Sequence, residues 1–237
     1  MKRFFFFVFP LSLTLIITSC EDSSGKFSEP FFTDKTVNTA LIDIVKTAKD
    51  STCTNTANAY YDLTPVKFPE ILNFVQDSLL KNSENRSLID SFLAQINRTV
   101  KLASPNISQA FNTHLTDYIF PEPSKLLDKT HPNSSPAVDY FKKTSLSSVL
   151  YTTRPYIESM LVEQNAGRSW DSIVNTYKTM HAENDYANLN TFNLTTYTTA
   201  QSVEVAFTLA ALEEVKMRTD SNYRKTAAIK NLLRVLD

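Results

Sequence analysis

The stretch RSLIDSFLAQINRTVKLASPNISQAFNTHLTDY, residues 86–118, decides the fold. Its apolar side chains fall at Leu88, Phe92, Ile96, Val100 and Ala103, then at Ile107, Phe111, Leu115 and Tyr118. Every step is three or four residues, the spacing that lines side chains along one face of an α-helix. A half-buried strand would alternate every second residue, and this stretch does not. Ser104-Pro105 divides the run, reading as a cap followed by a proline at the first helical position, where a missing N–H goes unused. The stretch therefore predicts two consecutive helices.

The same period continues in both directions. Upstream, Val37, Leu41, Ile44, Val45 and Ala48 form a helical stripe behind a cap at Thr33 or Asp34. A polar connector carrying Cys53 follows, and DLTPVKFP, residues 62–69, is held extended by its two prolines. Pro69 opens the next helix, with Ile71, Leu72, Val75 and Leu79 on one face. Downstream, PEPSKLLDKTHPNSSP, residues 121–136, is mostly connector, and Ser135-Pro136 repeats the cap–proline start. The helix it opens runs toward Met160, with Pro155 kinking or splitting it. Ser169 caps a helix bearing Trp170, Ile173, Val174, Tyr177 and Met180, and two last helices cover about 199–218 and 221–236. The expectation is all-α: one multi-helix domain of about eight helices over residues 35–237.

Composition excludes several function classes. The 237 residues are 42% hydrophobic with a net charge of -1, which rules out a disordered polymer and a basic nucleic-acid binder. Average usage would give roughly 16 glycines. The chain has 2, Gly25 and Gly167, so no glycine-rich phosphate loop or Gly-x-Ser-x-Gly elbow exists. The three histidines, His114, His131 and His181, lie in separate segments, so no metal site and no cofactor is expected. Glu213 and Glu214 are adjacent, which on a helix turns them about 100° apart and rules out a facing acid–base pair. One solvated and one salt-bridged glutamate is the expectation.

The N-terminus reads as an address. Lys2 and Arg3 precede an apolar run from Phe4 to Ile17, too short to span a hydrocarbon core that takes about 20 residues. Ile17-Thr18-Ser19-Cys20 resembles the bacterial lipobox. That resemblance implies removal of residues 1–19 as a signal peptide and lipid attachment at Cys20. Residues 20–34 then form a flexible tether. Losing Lys2 and Arg3 moves the net charge to -3, a weak field that predicts no nucleic-acid partner. Glu21-Asp22 either resembles a surface-export signal of some Bacteroidota lipoproteins or is a solvated spacer. Both the periplasmic face of the outer membrane and the cell surface stay open. With Cys20 lipidated, Cys53 has no disulfide partner in the chain, and the residues around it supply no base for a nucleophile.

A further set of segments carries a family resemblance. Ala137-Val138-Asp139-Tyr140-Phe141 matches an "A-x-x-Y-F" helix opening, Arg154-Pro155-Tyr156-Ile157 an "x-P-I/V" step, and 193–199 a "D-L-T-D-Y-V-T" run. Phe207 to Arg218 follows "G-L-F-x-x-I-A-x-E-E-x-x-I-R", and 232–236 "L-L-x-x-V-F". Val66-Lys67-Phe68-Pro69 follows "I-x-L-P", and Ile96-Asn97-Arg98 opens "M-N-R-A-A-E", where this chain has Thr99-Val100-Lys101. On these residues the chain resembles the domain-of-unknown-function family 4197, an uncharacterised bacterial family. The resemblance implies an all-helical fold, often behind a signal peptide, and brings no activity with it.

Six polar residues fall at those motif positions: Asn97, Arg98, Arg154, Tyr197, Glu214 and Arg218. Turned inward together, three arginines and one glutamate leave net positive charge suited to a carboxylate or phosphate. Turned outward, they are interhelical salt bridges and surface groups. The aromatic residues likewise fill a core or line an apolar cavity. The leading expectation is a lipid-anchored, non-enzymatic binding or scaffolding protein, whose partner is a protein or a small acidic or apolar ligand. The alternative is an enzyme or small-ligand binder built on an Arg/Tyr/Glu pocket.

Overall fold

The computed structural model describes residues 32–53, 65–127, 133–181 and 186–237. Cys20, the tether as far as residue 31 and His131 lie outside them, as does the side chain of Cys53, while Asp34, expected in the tether, already belongs to the first helix. The described residues hold eight α-helices and no strand: α1 (Asp34–Cys53), α2 (Asn73–Leu80), α3 (Arg86–Leu115), α4 (Pro136–Glu163), α5 (Ala166–Met180), α6 (Ala187–Thr191), α7 (Leu194–Thr219) and α8 (Ala227–Leu233). None is long and apolar enough to cross a membrane.

The all-α expectation holds, while the helices are divided differently. The two helices expected to meet at Ser104-Pro105 are one, α3, with Pro105 inside it. Ile96, Val100 and Ala103 before the proline and Ile107 and Phe111 after it are all buried on one stripe. Burial of each large apolar side chain is worth about 1.5–3 kcal/mol, which together exceeds the roughly 3 kcal/mol that an interior proline costs. Pro155 likewise sits inside an unsplit α4. The count is restored by the short helix α6, which no apolar period announces. Cys53 ends α1 rather than lying in the connector, and Pro69 precedes a 3-10 turn, Glu70–Leu72, that leads into α2.

Contacts step in opposite senses along neighbouring helices, so the bundle is antiparallel. Ser108 and Tyr118 meet Lys49 and Asn38 of α1. Going back along α3, His114 meets Thr152 of α4, Phe92 meets Trp170 of α5, and Asn85, just before α3, meets Met180. Val138, Phe141 and Lys142 of α4 meet Glu214, Phe207 and Glu204 of α7. α7 is buried on several faces, at Val203, Ala206, Phe207, Ala210 and Met217 among others, because α1, α3 and α4 all pack on it. Phe111, Phe141 and Phe207 stack at the centre with ring centroids 4.4–6.0 Å apart.

Helix ends show where local and distant partners compete. Thr33 caps α1 and Asn193 caps α7, each accepting from the N–H three residues on, at 3.3 and 2.8 Å. Ser135 does not cap α4. Its hydroxyl donates to Asp139 at 2.9 Å, and the free N–H groups of the first turn go to a glutamate on α7.

Candidate functional site

Between Pro65 and Pro69 the chain is extended, so side chains alternate: Val66 and Phe68 are buried and Lys67 is exposed. Phe68 seats this strap on an aromatic floor of Phe92 at 5.9 Å and Trp170 at 6.2 Å. The floor continues through Phe192, 4.8 Å from Trp170, to Tyr197 at 5.6 Å. Asn97 of α3 grips the strap backbone. Its Oδ1 accepts from the Val66 N–H at 2.7 Å, and its Nδ2 donates to the Val66 carbonyl at 3.1 Å. The same Nδ2 donates to the Leu93 carbonyl at 2.8 Å, fixing the amide on its own helix. From the other side, the Tyr197 hydroxyl donates to the Lys67 carbonyl at 2.7 Å. Burial, and secondarily the negative charge of Glu70, push this phenol up to about 12, so it remains a donor at neutral pH.

Two clefts of about 500 and 520 Å³ flank the strap. One is walled by Tyr197, Gln201 and Val205 of α7, the other by Asn73, Gln76, Leu93 and Asn97. Lys67 and Glu70 contribute to both. The clefts thus combine an apolar base with one ammonium, one carboxylate and several amides, a set suited to orienting a polar ligand or a peptide side chain. Lys67, Glu70 and Gln201 were not among the residues singled out from the sequence. The bracketing prolines were the available signal for Lys67, since an extended run with Val66 and Phe68 inward must turn Lys67 outward.

A second polar centre is closed to solvent. Glu214 is wholly buried, its oxygens accepting from the N–H groups of Ala137 at 3.2 Å and Val138 at 2.8 Å. Arg218, one turn on, donates through Nε to Glu214 at 2.8 Å and through Nη2 to the Leu126 carbonyl at 2.9 Å. Burial pushes the Glu214 carboxyl above the usual carboxylate range, against Arg218 and the two amides, which hold it down. A carboxylate from α7 thus serves as the N-terminal cap of α4. Neither adjacent glutamate is solvated: Glu213, also buried, pairs with Lys216 at 2.5 Å.

The six sequence candidates are therefore not brought together. Asn97 and Tyr197 meet at the strap, and Glu214 and Arg218 meet at the start of α4. Seventeen residues of α7 separate Tyr197 from Glu214, about 25 Å at 1.5 Å per residue. Arg98 and Arg154 are exposed, on α3 and α4. His114 bonds Thr152 at 3.1 Å and His181 bonds Ser78 at 2.5 Å. Among the described residues no group of three or more His, Cys, Asp or Glu is placed to hold a metal ion.

The motif segments share this division. Those at 66–69, 96–98 and 193–199 converge on the strap, while those at 137–141 and 207–218 converge on Glu214. No curated protein and no solved structure matches the chain. The sequence pattern of one family, described as "Protein of unknown function (DUF4197)", matches residues 33–233. The chain belongs to the DUF4197 family.

Proposed function

We propose that the chain is a lipid-anchored bacterial envelope protein, held at the outer membrane through Cys20, that binds or scaffolds a partner without catalysing a reaction. The observation that carries the anchoring is the order Lys2-Arg3, apolar run, Ile17-Thr18-Ser19-Cys20, set shortly before a folded unit that begins at Phe32. The strap and its clefts are the contact site. They are the place where three motif-bearing segments distant in sequence expose polar and charged groups around an apolar base. The partner is a protein segment or a small ligand that engages Lys67, Glu70 and Gln201.

Anchoring is tested by metabolic labelling with a fatty acid and fractionation of the host envelope. The wild-type chain takes up label and pellets with membranes. Cys20→Ala abolishes the label and leaves the uncleaved precursor. Equal labelling of the two forms would remove the lipoprotein reading. Binding is tested by comparing native and denatured masses of the gently purified full chain. An added mass lost in Lys67→Glu, with unchanged thermal stability, assigns the clefts.

A further inference from the structure

One end of the bundle displays an apolar side chain that the core does not use, Ile119. After α3, Asp117 adopts a φ of 58° and turns the chain back toward α1. Asn38 of α1 then pins the loop on both sides of one residue. Its Nδ2 donates to the Tyr118 carbonyl at 3.2 Å and its Oδ1 accepts from the Phe120 N–H at 2.7 Å. The rings of Tyr118 and Phe120 pack edge to face at 4.9 Å, with Phe120 buried. Ile119, between them, points outward and is 75% exposed. At the same end, on another side of α1, lies a groove of about 290 Å³ lined by Phe32, Ala40, Ala228 and Leu232 together with the polar Lys35, Thr36, Thr39 and Asn231.

A single exposed aliphatic residue is ordinary on a protein surface, so position decides its meaning. The described unit begins at Phe32, beside this end, and eleven residues lie between Cys20 and Phe32. Their length limits the distance from Cys20 to Phe32 to about 40 Å. We infer that this end, led by Ile119, seats on the lipid surface to which Cys20 is attached. The inference rests on the lipoprotein reading above. The weak net charge gives no pull toward anionic headgroups, so the contact is apolar and shallow rather than electrostatic. The strap, gripped at Asn97, lies eighteen residues along α3 from Leu115, about 27 Å, and faces partners away from the bilayer.

The test uses the lipidated full chain in phosphatidylcholine vesicles, with an added tryptophan as reporter. Ile119→Trp places it at the proposed contact, and Ile71→Trp, 62% exposed in the wild type and next to the strap, places it at the far end. The native Trp170 is buried and supplies a constant background. Brominated phosphatidylcholine is expected to quench the added fluorescence of Ile119→Trp severalfold more than that of Ile71→Trp. Equal quenching, or quenching of Ile71→Trp alone, overturns the inference while leaving the anchor intact. Intact mass separates the two failures: a chain without the lipid increment on Cys20 overturns the lipoprotein reading and the seating together.

Discussion

Tyr197 and Asn97 hold the strap by different chemistry, and each can be tested separately. The Tyr197 phenol titrates near 12 when folded against an ordinary 10.0. The folded state therefore keeps this proton more tightly, and the stability it lends is complete below pH 10 and lost as pH rises toward 12. Following phenolate absorbance against pH should show one late-titrating tyrosine that is missing in Tyr197→Phe. If the tyrosine lost in Tyr197→Phe instead titrates near the ordinary 10.0, the burial of this phenol beside Glu70 is contradicted. Asn97 acts through having a donor and an acceptor together. Asn97→Asp keeps the shape and sets a carboxylate oxygen against the carbonyls of Val66 and Leu93, at a cost of about 1–3 kcal/mol in denaturant melts. The neighbouring exposed Arg98→Ala should stay within about 0.5 kcal/mol. From the sequence these adjacent residues looked alike. Helical period places Arg98 and Asn97 100° apart, yet only the strap, distant in sequence, tells which of them has a partner.

Among the elements, the helices were legible wherever one face is buried, and their ends were legible only where the capping group is local. Thr33 was readable as a cap because its partner is three residues away; Ser135 was misread because α7 supplies the cap. The join at Pro105 was misread for a related reason. Proline at a first helical turn and proline inside a helix give the same local sequence, and the choice is made by what the stripe packs against. That choice is measurable. At a first turn, Pro105→Ala would be nearly neutral; inside α3 it supplies a missing N–H and relieves a backbone clash, so it should stabilise by up to about 3 kcal/mol. Removing the remote cap should do the opposite. Glu214→Ala leaves Arg218 buried without its carboxylate and should cost about 3–5 kcal/mol. The double replacement Glu214→Leu with Arg218→Met should recover much of that, and a failure to recover would mean that the amides of Ala137 and Val138 matter more than the charge.

For the whole molecule, the class and the single domain followed from a three-to-four period repeated with hardly any glycine. The candidate site was legible only in part. Two of its residues, Asn97 and Tyr197, were named in advance, but placing them with Glu214 and Arg218 needed the direction and register of α7, which periodicity does not contain. The cap on α4 has a consequence in time as well as in space. Glu214 follows Ala137 by 77 positions. A chain growing from its N-terminus forms the α4 sequence long before residue 214 exists. Until then the first turn of α4 has its amides open to water, and the centre of the bundle has no α7 to close on. Folding to the final packing must therefore wait for the last fifth of the chain, which makes the domain late-closing and cooperative rather than assembled helix by helix.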